Sequence, residues 1–323
     1  MRQPSRVRSR KLAPGALSPA QIQMISRTQS TVPLGQKLER WLPRIVVSPL
    51  FALSLFFVYG FIAWTVYISF TKSGVMPNYT FEGLSQYERL WATPRWYVAL
   101  GNMFVFSALF IAISLAIGIF LAILLDQRVR IEGVIRTIYL YPMALSFIVT
   151  GTVWKWILNP GLGIQNFVRK AGFEDFTFDW LVNSDYAIYT IVIAAVWQSS
   201  GYAMALFLAG LRSVDDEILK AAAIDGAGAF RTYASVVLPI MRPVFLSTVI
   251  ILAHLAIKSF DLVIALTGGG PGYATDMPAT FMYAFAFQRS ELGVAAASAV
   301  MMLTTVIAIV VPYLYSELRG TKQ

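Results

Sequence analysis

The stretch Arg212-Ser-Val-Asp-Asp-Glu-Ile-Leu-Lys-Ala-Ala-Ala-Ile-Asp-Gly-Ala-Gly-Ala-Phe-Arg-Thr-Tyr-Ala-Ser-Val-Val-Leu-Pro239, continuing Ile-Met-Arg-Pro243, organises the rest of the chain. It reads as helix, turn, helix. Ser213 is placed as the N-cap, and Asp216, three residues on, approximates a capping box while its charge suits the positive end of a helix. Asp225-Gly226 supplies the turn, because glycine adopts backbone angles that other residues resist. Phe230 and Tyr233 follow at i and i+3, on one face of a second short helix. An exposed aromatic on such a helix is shaped to plug a groove on another protein.

On both sides of this polar stretch the chain is strongly apolar. Of 323 residues, 57% are hydrophobic and 13% charged, with a mean hydropathy of +0.63, against about 25% charged residues in a soluble domain. There is no cysteine, which excludes disulfides, thiolate metal sites and palmitoyl or prenyl anchors. A bilayer core of about 30 Å needs about 20 apolar residues in a helix. Five uncharged runs meet that need: Ile45 to Thr71, Tyr97 to Leu125, Thr137 to Trp154, Tyr186 to Leu211 and Leu292 to Ser316. A sixth, Pro243 to Leu266, is long enough but carries His254, Lys258 and Asp261. The expected fold is therefore an all-α integral membrane protein of six transmembrane helices.

Basic residues orient the spans. With the N-terminus inside, 18 of the 26 Lys and Arg fall on the cytoplasmic side: nine from Arg2 to Arg44, then Arg128, Arg130, Arg136, Arg212, Lys220, Arg231, Arg242, Arg319 and Lys322. Seven fall outside: Lys72, Arg89, Arg95, Lys155, Arg169, Lys170 and Arg289. Both termini are expected in the cytoplasm. The net charge of +9 thus reflects a flanking basic arm rather than nucleic-acid binding. That arm has no apolar core, so it is not a signal peptide. Trp41, Tyr97, Trp154, Trp156 and Tyr313 near span ends suit the headgroup belt. The external segment Ile157 to Asp185, with Glu174, Asp175, Asp179 and Asp185, reads either as a docking surface or as a solvated loop.

The quoted stretch closely resembles the EAA loop of type I ABC importer permeases of the carbohydrate family. Ala221, Ala222, Asp225, Gly226, Ala227, Leu238 and Pro239 match the family pattern at its spacing. The resemblance implies a coupling helix that docks into a cleft on an ATP-binding subunit, with Gly226, Ala227 and Phe230 on the docking surface. The family's opening glutamate falls at Lys220, which cannot accept an arginine's hydrogen bonds; Glu217, nearly one turn earlier, can substitute. Further resemblance lies in Ala99-Leu-Gly-Asn102-Met-Phe-Val-Phe, similar to the Asn-containing start of the permease core. Leu266-Thr-Gly-Gly-Gly-Pro-Gly272 looks like the loop after the fifth span, read here as a flexible external turn. As a phosphate cradle it lacks the Gly-Lys-Ser/Thr that must follow.

The family then implies four regions: a cytoplasmic basic extension (1–43), the first transmembrane helix and periplasmic loop (44–96), the transmembrane core with its coupling loop 213–243 (97–316), and a cytoplasmic tail (317–323). It implies a bacterial inner-membrane location and several partners: a second homologous permease, an ABC ATPase dimer that carries ATP and Mg, and a periplasmic or lipid-anchored sugar-binding protein. No cofactor or metal is expected in this chain, and it is not expected to be an enzyme. The cargo expected is a monosaccharide or small oligosaccharide.

Polar residues inside spans face a bundle interior or a wet cavity. His254, Lys258 and Asp261, at i, i+4 and i+7, share one stripe if the fifth span is a continuous helix. They read as a hydroxyl-binding or gate-lining strip, or as a Lys258–Asp261 ion pair between helices. On the fourth span, Trp197-Gln-Ser-Ser-Gly-Tyr202 mixes an aromatic plate with amide, hydroxyl and phenol groups, as a sugar requires. In maltose-type permeases the equivalent helix lines the substrate site, which points to Gln198, Ser199 and Tyr202 with Trp197 in support, and Asn102 joins the expected pathway. Helix packing through small residues is the competing reading. The rival function is a proton-coupled secondary transporter that titrates His254 and Asp261, but it requires internal repeats that the sequence lacks and leaves the loop unexplained.

Overall fold

A computed structural model describes residues 34–127 and 130–320, whose regular elements are helical apart from one antiparallel bridge, Thr71 to Phe81. Residues 1–33 of the expected basic extension, Arg128, the side chain of Trp41 and residues 321–323 lie outside what is described. Contacts divide the chain into residues 1–61 and 62–323. The first unit holds most of α1 (Leu34–Ile68), which is free of charge from Ile45 onward.

The second unit runs through α2 (Ser85–Ala92), α3 (Pro94–Asp126), α4 (Glu132–Leu140), α5 (Phe147–Ile157), α6 (Ile164–Lys170), α7 (Ala187–Leu211) and α8 (Asp216–Ile224). It continues with α9 (Ala229–Ile240), α10 (Arg242–Ile257), α11 (Asp261–Leu266), α12 (Pro278–Tyr283) and α13 (Leu292–Gly320). Four helical stretches are long and apolar enough to cross a membrane: Val47–Ile68, Pro94–Asp126, Ala187–Leu211 and Leu292–Tyr313. They coincide with four of the six expected spans.

The buried centre is α7, most of whose side chains are covered. In lipid, helices gain little by hiding apolar surface from one another, so association relies on close packing of small residues. The α3–α7 contact follows that rule: a Cβ on Gly118 would meet Ala203 Cβ at 2.7 Å. Toward one end of this pair Phe106 and Phe110 pack with Ile191, Ala195 and Leu252. Toward the other, Leu121 and Leu125 pack with Met204, Phe207 and Leu208, together with Val237 and Met241 from α9 and its bend.

The remaining two expected spans are not straight. Thr137 to Trp154 divides into α4 and α5, bent by 101°. Pro142 lies in a 3-10 turn, Tyr141–Ala144, Leu145 is extended, and the Ser146 hydroxyl caps α5 by accepting from Ile148 N at 3.2 Å. Proline breaks the helical hydrogen-bond ladder, and serine is a favoured N-cap. The elbow rests on α7 at Gly201, where a Cβ would fall 1.8 Å from the Tyr139 carbonyl oxygen.

Pro243 to Leu266 also breaks. α10 ends at Ile257, and Phe260, at φ −125° and ψ −60°, leads into α11. His254, Lys258 and Asp261 therefore do not share one helical stripe, since that spacing aligns residues only along a continuous helix. The redirection buries Leu262, Val263 and Leu266 and lets α11 cross α5 at Gly151, whose Cβ would lie 2.6 Å from Ala265 Cβ. Close packing thus overrides a run that hydropathy alone treats as one helix.

Candidate docking surface and substrate pathway

The connecting segment after α7 forms the expected helix, turn, helix, with a different cap. Asp215, not Ser213, is the N-cap of α8, its Oδ1 accepting from Glu217 N at 2.9 Å. The Ser213 hydroxyl instead donates to the Gly210 carbonyl at 2.7 Å, at the end of α7. α8 closes at Gly226, φ 74°, with Ala227 N bonded to Ala222 O and Gly226 N to Ala223 O. That is the left-handed C-terminal turn that glycine permits. Glu217, Lys220, Ala221, Asp225 and Gly226 are exposed, Ala227 is half-buried and Ala222 is buried.

Two large apolar side chains stand out from this surface, Phe230 at 88% exposure and Ile224 at 86%. Ile224 was not singled out by the sequence, although it is the last residue of α8 and directly precedes the Asp-Gly turn. Tyr233 does not share the exposed face of Phe230. Its ring packs with the cluster around Leu121, Leu125 and Val237. Its hydroxyl donates to Asp126 Oδ2 at 3.2 Å and accepts from Gln127 Nε2 at 3.2 Å. Burial first, then the Asp126 charge, push the phenol above its ordinary value of 10, so the hydroxyl keeps its proton at physiological pH.

The break after α10 opens onto two cavities. One, of about 150 Å³, is walled by Phe106, Phe110, Phe147 and Phe260 and carries Lys258, Ser259 and Asp261. The other, of about 480 Å³, is lined by His254, Lys258, Asp261, Tyr283, Met302 and Leu303. The break thus brings together the three polar residues that the continuous-helix reading had joined differently. Among the described residues no ion pair links Lys258 to Asp261. Aromatic walls with a cation, a carboxylate and a hydroxyl suit a polyhydroxylated ring, whose faces stack while its edge accepts and donates.

The fourth-span cluster sits at the elbow. Gln198, 3% exposed, donates through Nε2 to the Leu145 carbonyl at 2.8 Å, while its Oε1 is buried without a partner. Ser199 is buried, Tyr202 half-buried, and Trp197 is partly exposed with its ring edge-on to Trp154. Gln198 therefore braces the backbone of α4 and α5.

Asn102 and the glycine-rich loop form a third arrangement. Asn102 Nδ2 donates to Asp276 O at 2.9 Å and to Tyr273 O at 3.3 Å. Asp276, 1% exposed, receives Arg95 Nε at 2.6 Å and the Thr280 hydroxyl at 2.6 Å. The Arg95 guanidinium also lies over the Tyr273 ring, 4.4 Å from its centroid, and Thr267 Oγ1 bonds Thr275 Oγ1 at 2.7 Å. The loop is thus clamped to the start of α3 rather than a free turn. Nothing in the local sequence pairs Arg95 with Asp276, since 181 residues separate them.

The sequence pattern of the family described as binding-protein-dependent transport system inner membrane component matches residues 114–320. A probable ABC transporter permease protein of Pyrococcus horikoshii is 40% identical, over 87% of this chain and 98% of its own length. The xylose/arabinose import permease protein XacH of Haloferax volcanii is 37% identical, over 83% of this chain and 85% of its own. The fold is similar to that of a chain in a bacterial alginate ABC transporter solved with an alginate pentasaccharide-bound periplasmic protein. There the TM-score is 0.75 at 19% identity, covering 89% of this chain and 98% of that one. The chain therefore belongs to the binding-protein-dependent transport system inner membrane component family, the permease subunits of ABC transporters, which are not themselves enzymes.

Proposed function

We propose that this permease imports a sugar, a monosaccharide or small oligosaccharide, across the inner membrane, driven by ATP hydrolysed on partner chains. In this reading six spans, two of them bent, place both termini in the cytoplasm. Residues 97–316 form the core, and the loop 213–243 faces the ATPase. The observation that carries the reading is the pair of apolar side chains, Ile224 and Phe230, held almost fully exposed on either side of a rigid glycine turn. Exposed groups of that size mark a surface that a partner covers. Glu217 and Lys220 flank it as polar contacts, and Lys220 asks for an acid on the partner.

The sugar is supported by the aromatic and polar cavities at Lys258 and Asp261, and by the import of xylose and arabinose in the name of one relative. The periplasmic protein in the alginate assembly supports a solute-binding partner for this chain, for which the exposed segment 157–185 is the docking face. A second permease and an ATPase dimer with ATP and Mg complete the assembly.

Co-purification from native membranes, followed by uptake of labelled xylose, arabinose and maltose into proteoliposomes, tests the proposal. An ATPase and a second permease are expected with the chain, and uptake is expected to require internal ATP. Phe230→Ala should abolish ATP-driven uptake. Uptake by the lone chain under a pH gradient would replace the proposal with a proton-coupled transporter.

A further inference from the structure

α9 and α10 meet at 69° through Met241, so movement of Phe230 is not carried along one continuous helix to the break at Lys258. A second route exists. Tyr233, almost one turn after Phe230, is bonded through its hydroxyl to Asp126, the last residue of α3. α3 then runs unbroken back to Phe110 and Phe106, which stack 5.4 Å apart and wall the smaller cavity. At 1.5 Å per residue that reach is about 24–30 Å. The far end of α3 is held by Asn102 and Arg95 on the 273–276 loop. α3 is therefore a rod clamped at one end and latched at the other to the docking segment.

We infer that Tyr233 is a positioning residue that passes movement of the docking segment to α3, and through α3 to the aromatic wall of the cavity. The inference rests on the docking role proposed for Phe230. The ring alone fills the space beside Leu121 and Leu125, as phenylalanine also would, so the hydroxyl is the group with the transmitting role. The latch also sits where α9 is least regular: Tyr233 opens the π turn Tyr233–Val237. Such wide turns interrupt the helical ladder and frequently mark functional positions.

This chain has no cysteine, so with partner subunits made cysteine-free it allows a clean test in the assembled transporter in nanodiscs. Nitroxides at Phe104→Cys on α3 and Ile309→Cys on α13, both exposed sites, report the separation of these helices with and without Mg-ATP and vanadate. The parent is expected to show a nucleotide-driven shift. Tyr233→Phe should lose that shift while the ATPase still co-purifies and hydrolyses ATP. Asp126→Ala should lose it too, and Asp126→Asn, which keeps an acceptor oxygen, should retain it. Normal shifts in Tyr233→Phe and Asp126→Ala overturn the inference; if Tyr233→Phe fails to assemble, the two Asp126 variants decide it alone. A parent complex without an ATPase overturns the docking reading instead, and shows before any variant is made.

Discussion

The two expected spans that are interrupted differ in what interrupts them. At the elbow between α4 and α5 the causes are local and rigid: Pro142, the Ser146 cap, Gln198 on the Leu145 carbonyl, and the contact at Gly201. At the break between α10 and α11 there is neither proline nor glycine, and the turn is imposed by burial of Leu262, Val263 and Leu266. The first bend is filled with packing. The second leaves Lys258 and Asp261 facing open space. One bend is therefore packed shut and the other borders two cavities, although hydropathy treats both as ordinary spans.

Substitutions can break this contrast. The largest effect is expected at Gly201→Ala, where the new methyl meets the Tyr139 carbonyl oxygen. Forcing an atom into a packed site costs about 1–3 kcal/mol, with this contact at the upper end, and that exceeds the about 1 kcal/mol that alanine gains in helix propensity. A clear fall in the melting temperature of the detergent-purified protein is expected; an unchanged value would mean the elbow is loose. Gln198→Leu comes next. It orphans the Leu145 carbonyl, at about 1–3 kcal/mol, but removes the unpartnered Oε1, so the net loss is about 1 kcal/mol in the same assay. The smallest stability effect is expected for Lys258→Ala, within about 0.5 kcal/mol as for other exposed side chains. Its uptake of sugar should nevertheless fall, and unimpaired uptake would remove Lys258 from the pathway.

What could be read beforehand follows the same division. The four straight helices were legible because length and apolarity suffice to specify them, and the helix-turn-helix segment because Asp225-Gly226 favours a turn. The cap moved from Ser213 to Asp215 because the Ser213 hydroxyl is used on Gly210. Tyr233 turned inward because Asp126, distant in sequence, offers it a carboxylate. The polar trio was legible as a group but not as a geometry: spacing assumes a continuous helix, and only the crossing of α11 over α5 decides where that helix stops. Gln198 looked like a sugar ligand by chemistry alone. Its amide nitrogen is used on the Leu145 carbonyl while Oε1 has no partner, and no local pattern announces a carbonyl freed by a bend 53 residues away.

The clamp between Arg95 and Asp276 also sets an order of events during synthesis. The arginine is made 181 residues before its carboxylate, and at about 5–20 residues per second that is a wait on the order of 10–40 s. α3 is complete 31 residues after Arg95, at Asp126, so for the 150 residues that follow, its guanidinium is without the carboxylate that holds it in the folded chain. The Asn102 amide waits likewise, for the carbonyls of Tyr273 and Asp276. Closure of the clamp thus comes late: it ties the start of α3 to a loop made after α11, and no chain that stops short of residue 276 can form it.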